Sequence, residues 1–152
     1  MNTLEIIVVS DIGAPPAMVY GTLRDYQTGH PSILPAAFTD YQVVEGGVGA
    51  GTVVRVTLRA MGRGFPYTLQ VTEPEPGRIL AEEDTGAGTR TTFTVDALDG
   101  GARSRVTIST VMRAPRGPLA WIQSPMTANF TRKLYKEELA NLNTLAQQKS
   151  GS

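Results

Sequence analysis

The sequence predicts an α+β fold, an antiparallel sheet laid down strand by strand and covered by one long C-terminal helix. Three observations carry the prediction. Pro118 to Lys149 repeats apolar side chains at helical spacing: Leu119, Ile122, Met126 and Phe130 at three- and four-residue steps, then Leu134, Tyr135, Leu139, Leu142, Leu145 and Ala146. The residues before it alternate apolar and polar with a period of two, as strands do. The strand-like runs are separated by short turns bearing glycine or proline, which makes an antiparallel meander the economical topology.

The elements follow in order. Thr3–Ser10 is rich in β-branched residues and reads as a strand. Ala14-Pro15-Pro16 ends it, and Pro16 or Ala17 opens a short helix with Val19, Tyr20 and Leu23 inward. Gln27–Pro35 reads as a second short helical or irregular piece, bounded by Gly29, Pro31 and Pro35. Strand-like runs then span Phe38–Glu45, Thr52–Met61, Phe65–Glu73, Arg78–Asp84, Thr89–Leu98 and Arg103–Met112. Their alternation gives the sheet one wet face of Arg and Thr and one apolar face. In the C-terminal stretch, either Ser124 caps a helix with Pro125 at its first position, or Pro125 kinks a continuous helix. Residues 1–149 make one domain, and Ser150–Ser152 reads as a disordered tail.

Bulk composition bounds the function. Lys+Arg and Asp+Glu are 14 each, so there is no basic excess of the kind nucleic-acid binding leaves. With no cysteine, disulfides and thiolate-held metals are excluded, and a single histidine gives little basis for a zinc site. No apolar run approaches the ~20 residues that span a bilayer, and no secretory leader is visible. The expectation is a cytoplasmic protein with no cofactor and no nucleic-acid partner, monomer and dimer both remaining open.

The local sequence resembles a known family. The residues that carry the likeness are Ile12-Gly13-Ala14-Pro15-Pro16-Ala17-Met18-Val19-Tyr20, Leu23-Arg24-Asp25-Tyr26, Gly46-Gly47-Val48-Gly49-Ala50-Gly51-Thr52, Thr72-Glu73-Pro74-Glu75-Pro76-Gly77-Arg78 and Ser104-Arg105-Val106-Thr107-Ile108. They are similar to the START-like (SRPBCC) superfamily, and to its polyketide cyclase/dehydrase-like branch in particular. The resemblance implies a helix-grip fold: a curved seven-stranded antiparallel sheet around a long C-terminal helix, with two short helices between strands 1 and 2. It also implies a cavity for a small hydrophobic or amphipathic molecule. Its motifs are turns and strand cores, which mark fold more than chemistry.

The residues expected around such a cavity are Val56, Leu58, Tyr67, Leu69, Thr91, Phe93 and Thr110 from the sheet and Met126, Thr127 and Phe130 from the helix. Mixed aromatics, methionine and hydroxyls suit an apolar pocket with a few polar anchors, although a sealed core is the plain alternative. Glu138, His30 and Tyr67 are the catalytic candidates. Glu138 projects into the apolar arc of the helix, where a carboxylate must be paired, hydrogen-bonded or protonated. An ion pair with a sheet arginine, or a snorkelling side chain, is the favoured explanation. His30 falls where the short helices would border a cavity mouth, and a surface or capping role is favoured over proton transfer. Glu82-Glu83-Asp84 reads as a solvated strand end, with one of them as a pocket carboxylate the alternative, and Arg24-Asp25-Tyr26 as capping and ion pairing at the end of the first helix. Gly46–Gly51 precedes a strand with no Lys-Ser/Thr, so it is a turn and not a phosphate loop. Leu119, Trp121 and Ile122 are expected to pack against the 33–38 segment, the alternative being an exposed apolar patch. The leading function is a carrier or sensor of a small apolar ligand. A metal-free cyclase, aromatase or dehydratase, and a protein-interaction module, are the alternatives.

Overall fold

The structure, a computed structural model, describes residues 2–150, without the side chains at positions 121 and 150. The end of the predicted tail, Gly151-Ser152, lies outside them, and Ser150 belongs to the last helix. The chain runs β1 (Thr3–Ile12), α1 (Pro16–Arg24), α2 (Gly29–Ile33), β2 (Phe38–Glu45), β3 (Val53–Ala60), β4 (Arg63–Glu75), β5 (Ile79–Asp84), β6 (Thr89–Leu98), β7 (Arg103–Arg113) and α3 (Ala120–Ser150). The seven strands form one sheet in the order β1-β7-β6-β5-β4-β3-β2, with every neighbouring pair antiparallel. This is the helix-grip architecture. β1 joins the far edge beside β7, and the meander from β2 to β7 completes the sheet.

α3 is one continuous helix of 31 residues with Pro125 inside it, so the continuous-helix reading holds and the Ser124 cap does not. Its first residue is Ala120, two later than predicted. At 1.5 Å per residue it is about 45 Å long. Its C-terminal half is seated on the sheet. Leu139, Leu142 and Ala146 are fully buried with Val8, Ile12, Leu23, Val106 and Ile108. Each such leucine contributes roughly 1.5–3 kcal/mol by leaving water. Two asparagines fix this seat: Asn143 Oδ1 accepts from the Gly13 N–H at 2.9 Å, and Asn141 Nδ2 donates to the Ile33 carbonyl at 3.0 Å. The first two turns ride free of the core: Ile122 and Met126, with Leu119 just before the helix, are each at least 40% exposed. The expected packing of Leu119 and Ile122 against 33–38 is therefore absent; Trp121's side chain lies outside the described atoms. Among the described residues no helix is long and apolar enough to cross a membrane.

The Gly46–Gly51 loop docks on the end of α1. The Gly49 N–H donates to the Arg24 carbonyl at 2.8 Å, and the Tyr26 N–H to the Gly47 carbonyl at 2.9 Å. Gly49 has a φ of +69°, and a Cβ there would sit 2.3 Å from Arg24 Nη2 and 2.7 Å from Glu73 Oε1. Those two side chains form an ion pair at 2.8 Å. The glycines thus serve close approach of backbone to backbone. Gly49→Ala is expected to cost about 1–3 kcal/mol, from the unfavourable φ and the displaced ion pair, as a lowered urea midpoint with unchanged slope.

Candidate functional site

Where the helix lifts from the sheet, a cavity of about 280 Å³ remains. That is near the lower end of the ~300–1,000 Å³ usual for small-molecule sites. Its walls are built by strand alternation. Val54, Val56, Leu58 and Ala60 of β3 face Tyr67 and Leu69 of β4, with Thr91 and Phe93 of β6 and Thr110 and Met112 of β7 beyond them. The helix contributes Thr127, Phe130, Thr131, Leu134, Tyr135 and Glu138, spaced three and four apart so that they form one stripe. Among the described residues no lysine or arginine borders the cavity.

Every predicted wall residue except Met126 borders this space: Val56, Leu58, Tyr67, Leu69, Thr91, Phe93, Thr110, Thr127 and Phe130. Met126 is 53% exposed and lies in a groove on the outside of the helix. The cavity stripe runs through its neighbour Thr127, a turn of about 100° away.

All the predicted catalytic candidates border the cavity as well, two of them in unexpected surroundings. His30 is not a surface or capping residue; it is 2% exposed. Its ring stacks on Tyr26 at 4.5 Å and meets Phe93 edge-on at 5.4 Å. His30 Nδ1 lies 2.7 Å from the Leu23 carbonyl oxygen. A carbonyl only accepts, so Nδ1 carries a hydrogen and Nε2 is the nitrogen free to exchange one. Nε2 lies 3.4 Å from Glu82 Oε2. That oxygen also accepts a hydrogen bond from the Tyr26 hydroxyl at 2.7 Å.

Glu82 is thus no solvated strand end. It is 8% exposed, on the inward row that crosses the sheet through Ile6, Thr110, Thr91, Glu82 and Val71. Glu83 points outward and pairs with Arg90. Tyr26, assigned from sequence to the close of α1, is 1% exposed against the cavity. Its phenol is pushed well up by burial and then by the Glu82 charge, so it stays a donor. The Tyr41 hydroxyl donates to the Tyr26 carbonyl at 2.6 Å and the glycine loop receives its N–H, so the backbone aims this ring.

Glu138 departs furthest from expectation. It is 3% exposed, and no described residue gives it an ion pair or a hydrogen bond. Burial first, and the Glu82 charge second, push its carboxyl well above the ordinary 4.5. It is a neutral acid facing the cavity. Beside it, Tyr135 shares a hydrogen bond of 2.5 Å with Thr110 Oγ1, which lies 2.7 Å from Thr91 Oγ1. Burial pushes the Tyr135 phenol up to about 12. Tyr67 is likewise raised by burial and by Asp84. The inner end therefore joins a protonated carboxyl, a carboxyl–histidine pair and several un-ionised phenols in one apolar chamber. Among the described residues no cluster of His, Asp and Glu is arranged to hold a metal.

Sequence reasoning passed over Tyr41 and Tyr135 as site residues, gave Tyr26 a capping role, and favoured a solvated strand end over a pocket carboxylate for Glu82. For Glu82 the signal was available: it shares parity with Leu80, the inward residue of β5.

Two outcomes follow from these contacts. Tyr26→Phe removes a hydrogen bond to a buried carboxylate and is expected to cost about 1–3 kcal/mol, read from urea unfolding. For Glu138, the unfolded chain ionises at 4.5 while the folded chain keeps its proton. Folded protein then holds more protons than unfolded, so stability falls as pH rises above that value until the folded carboxyl ionises. Glu138→Gln lacks this loss. Its melting temperature should gain on that of the natural protein from pH 4.5 to pH 8; a pH-independent difference would mean the carboxyl is not held neutral.

Comparison with known proteins agrees with this architecture. The family model described as polyketide cyclase / dehydrase and lipid transport matches residues 4–147. No curated protein matches. Among solved structures, the KanY protein (ms6282) is 28% identical, with a TM-score of 0.84 over 97% of this chain and 99% of its own. TTHA0849 from Thermus thermophilus is 21% identical, with a TM-score of 0.75 over 96% and 99%. Zhui aromatase/cyclase from Streptomyces sp. R1128 is 16% identical, with a TM-score of 0.77 over 98% and 96%, a likeness of fold alone. With its sheet, helix and cavity in this arrangement and the family match running through nearly its whole length, the chain belongs to the polyketide cyclase/dehydrase and lipid transport family.

Proposed function

We propose that the protein binds a small, uncharged carbonyl or phenolic molecule in the cavity and exchanges protons with it there, in a reaction of the cyclisation or dehydration type. One observation carries this reading: Glu138 and Glu82 face one chamber in environments that differ. Glu138 has burial and no partner; Glu82 has a phenol donor and a histidine. Two such groups in environments this different are suited to give and take protons in one site. The Glu138 carboxyl would donate its proton to a substrate carbonyl oxygen. His30 Nε2, backed by Glu82, would take a proton from the adjacent carbon, leaving an enol. Tyr135 and Tyr67 are phenolic donors for further oxygens. A carboxylate ligand finds no lysine or arginine on the described walls, which favours a neutral substrate. The family description and the aromatase/cyclase neighbour support the same class.

A carrier uses the same apolar walls and needs no acid–base end. A protein-interaction module needs no cavity at all. The test uses 2-tetralone, a neutral aromatic ketone small enough for the chamber, in deuterated water. The natural protein is expected to accelerate deuterium uptake at the carbon beside the carbonyl, followed by NMR. Glu138→Gln should bind the ketone and exchange it about 100-fold more slowly. Binding with no acceleration would establish the carrier; no binding of tetralone or of other neutral ligands would count against both.

A further inference from the structure

Around the mouth of the cavity the surface changes character. The β3–β4 turn carries Met61, 72% exposed, and across from it Leu119, at 56%, leads into α3, whose first turns present Ile122 at 40% and Met126 at 53%. Met61 and Thr127 border both the cavity and the outer groove between turn and helix, so the apolar surface outside is continuous with the chamber inside. Methionine, leucine and isoleucine projecting from a turn and a helix end form an exposed patch that a soluble surface does not need.

Cations surround this patch. The chain from Gly46 to Thr72 contains Arg55, Arg59 and Arg63 and no carboxylate. The chain from Gly100 to Lys136 contains Arg113, Arg116, Arg132 and Lys133 among its cations, again with no carboxylate. Arg59 and Arg63 flank the Met61 turn; Arg113 and Arg116 lead into Leu119. Arg63 lies over the Phe65 ring, and Arg59 meets Asp40 only at 3.9 Å. At the opposite end of the sheet Asp11, Glu75, Asp96 and Asp99 pair with Arg78, Arg103 and Arg105. At the mouth end Asp40 and Glu83 pair with Arg59 and Arg90, while among the described residues Arg63, Arg113 and Arg116 form no ion pair with a carboxylate.

We propose that the mouth of the cavity docks on an anionic lipid bilayer. Met61, Leu119, Ile122 and Met126 would enter the acyl boundary, and Arg63 and Arg116 would meet the phosphates. An apolar tip ringed by arginine matches the two layers of such a surface. It also brings the opening of the chamber to the apolar phase from which a poorly water-soluble ligand would come. The surface is independent of the acid–base end and stands whether the protein is an enzyme or a carrier.

The test is co-sedimentation with vesicles of equal phosphatidylglycerol and phosphatidylcholine, against pure phosphatidylcholine. Partition into the anionic vesicles should be at least tenfold stronger and should weaken as salt rises. Leu119→Asp with Met126→Asp, and separately Arg63→Glu with Arg116→Glu, should each lower it at least tenfold. These side chains are exposed, so thermal midpoints should stay within a few degrees of the natural protein's. Absence of partition into anionic vesicles would overturn the proposal. So would partition indifferent to both double variants, or binding through these arginines to a soluble acidic protein but not to the vesicles.

Discussion

Seven strands about 4.8 Å apart make a sheet roughly 30 Å across, whereas one helix with its side chains covers about 10–12 Å. α3 cannot fill the concave face it lies on. The chain meets this mismatch by seating the helix at one end and leaving the other end open. At the seated end, leucine and isoleucine interlock and two asparagines fix the helix to the β1–α1 turn and to α2. At the open end the helix stands off the inward faces of the strands, and a chamber results between them. α1, α2 and the glycine loop close its inner end, which is why the polar side chains gather there.

Those polar side chains are costly in an apolar chamber unless satisfied. Glu82 accepts a hydrogen bond from Tyr26 and lies beside His30, and these are in turn held by the Gly47, Tyr41 and Leu23 backbone contacts. The glycine loop that resembled a phosphate cradle therefore acts at a distance from any ligand: it aims Tyr26, which holds Glu82. Glu138 has no such support and stays neutral instead. One chamber thus holds two carboxyls in different environments, one supported by a hydrogen-bond donor and one with burial alone.

Much of this was legible in the sequence. Alternation identified the inward faces of β3, β4, β6 and β7, and the turns placed each strand within about two residues. Most cavity walls followed from that parity. What was not legible depended on neighbours distant in sequence. Glu82 looked solvated because Glu83, Asp84 and Thr85 follow it, and its parity with Leu80 outweighs them only once Thr91 is known to lie opposite. His30 gave no period at all; its burial comes from α2 being clamped between Leu23, Tyr26 and Asn141 of α3. Met126 misled because its spacing to Phe130 is helical, while the first turns it belongs to have no surface to lie on. Periodicity records which side chains share a face and not whether anything covers it.

The two carboxyls ride on different bodies. Glu82 sits in a strand bonded to neighbours on both sides, and Glu138 on the helix, a little more than one turn before Leu142 and Asn143, where α3 is anchored. Their spacing is therefore a property of the seated end. The mouth, with Met61, Phe65 and Thr127, belongs to the loose end. Substitutions there can lengthen, shorten or reshape what the chamber admits while the spacing of the two carboxyls is left alone. The fold separates the width of the opening from the geometry of the polar end, so that one can be altered without disturbing the other.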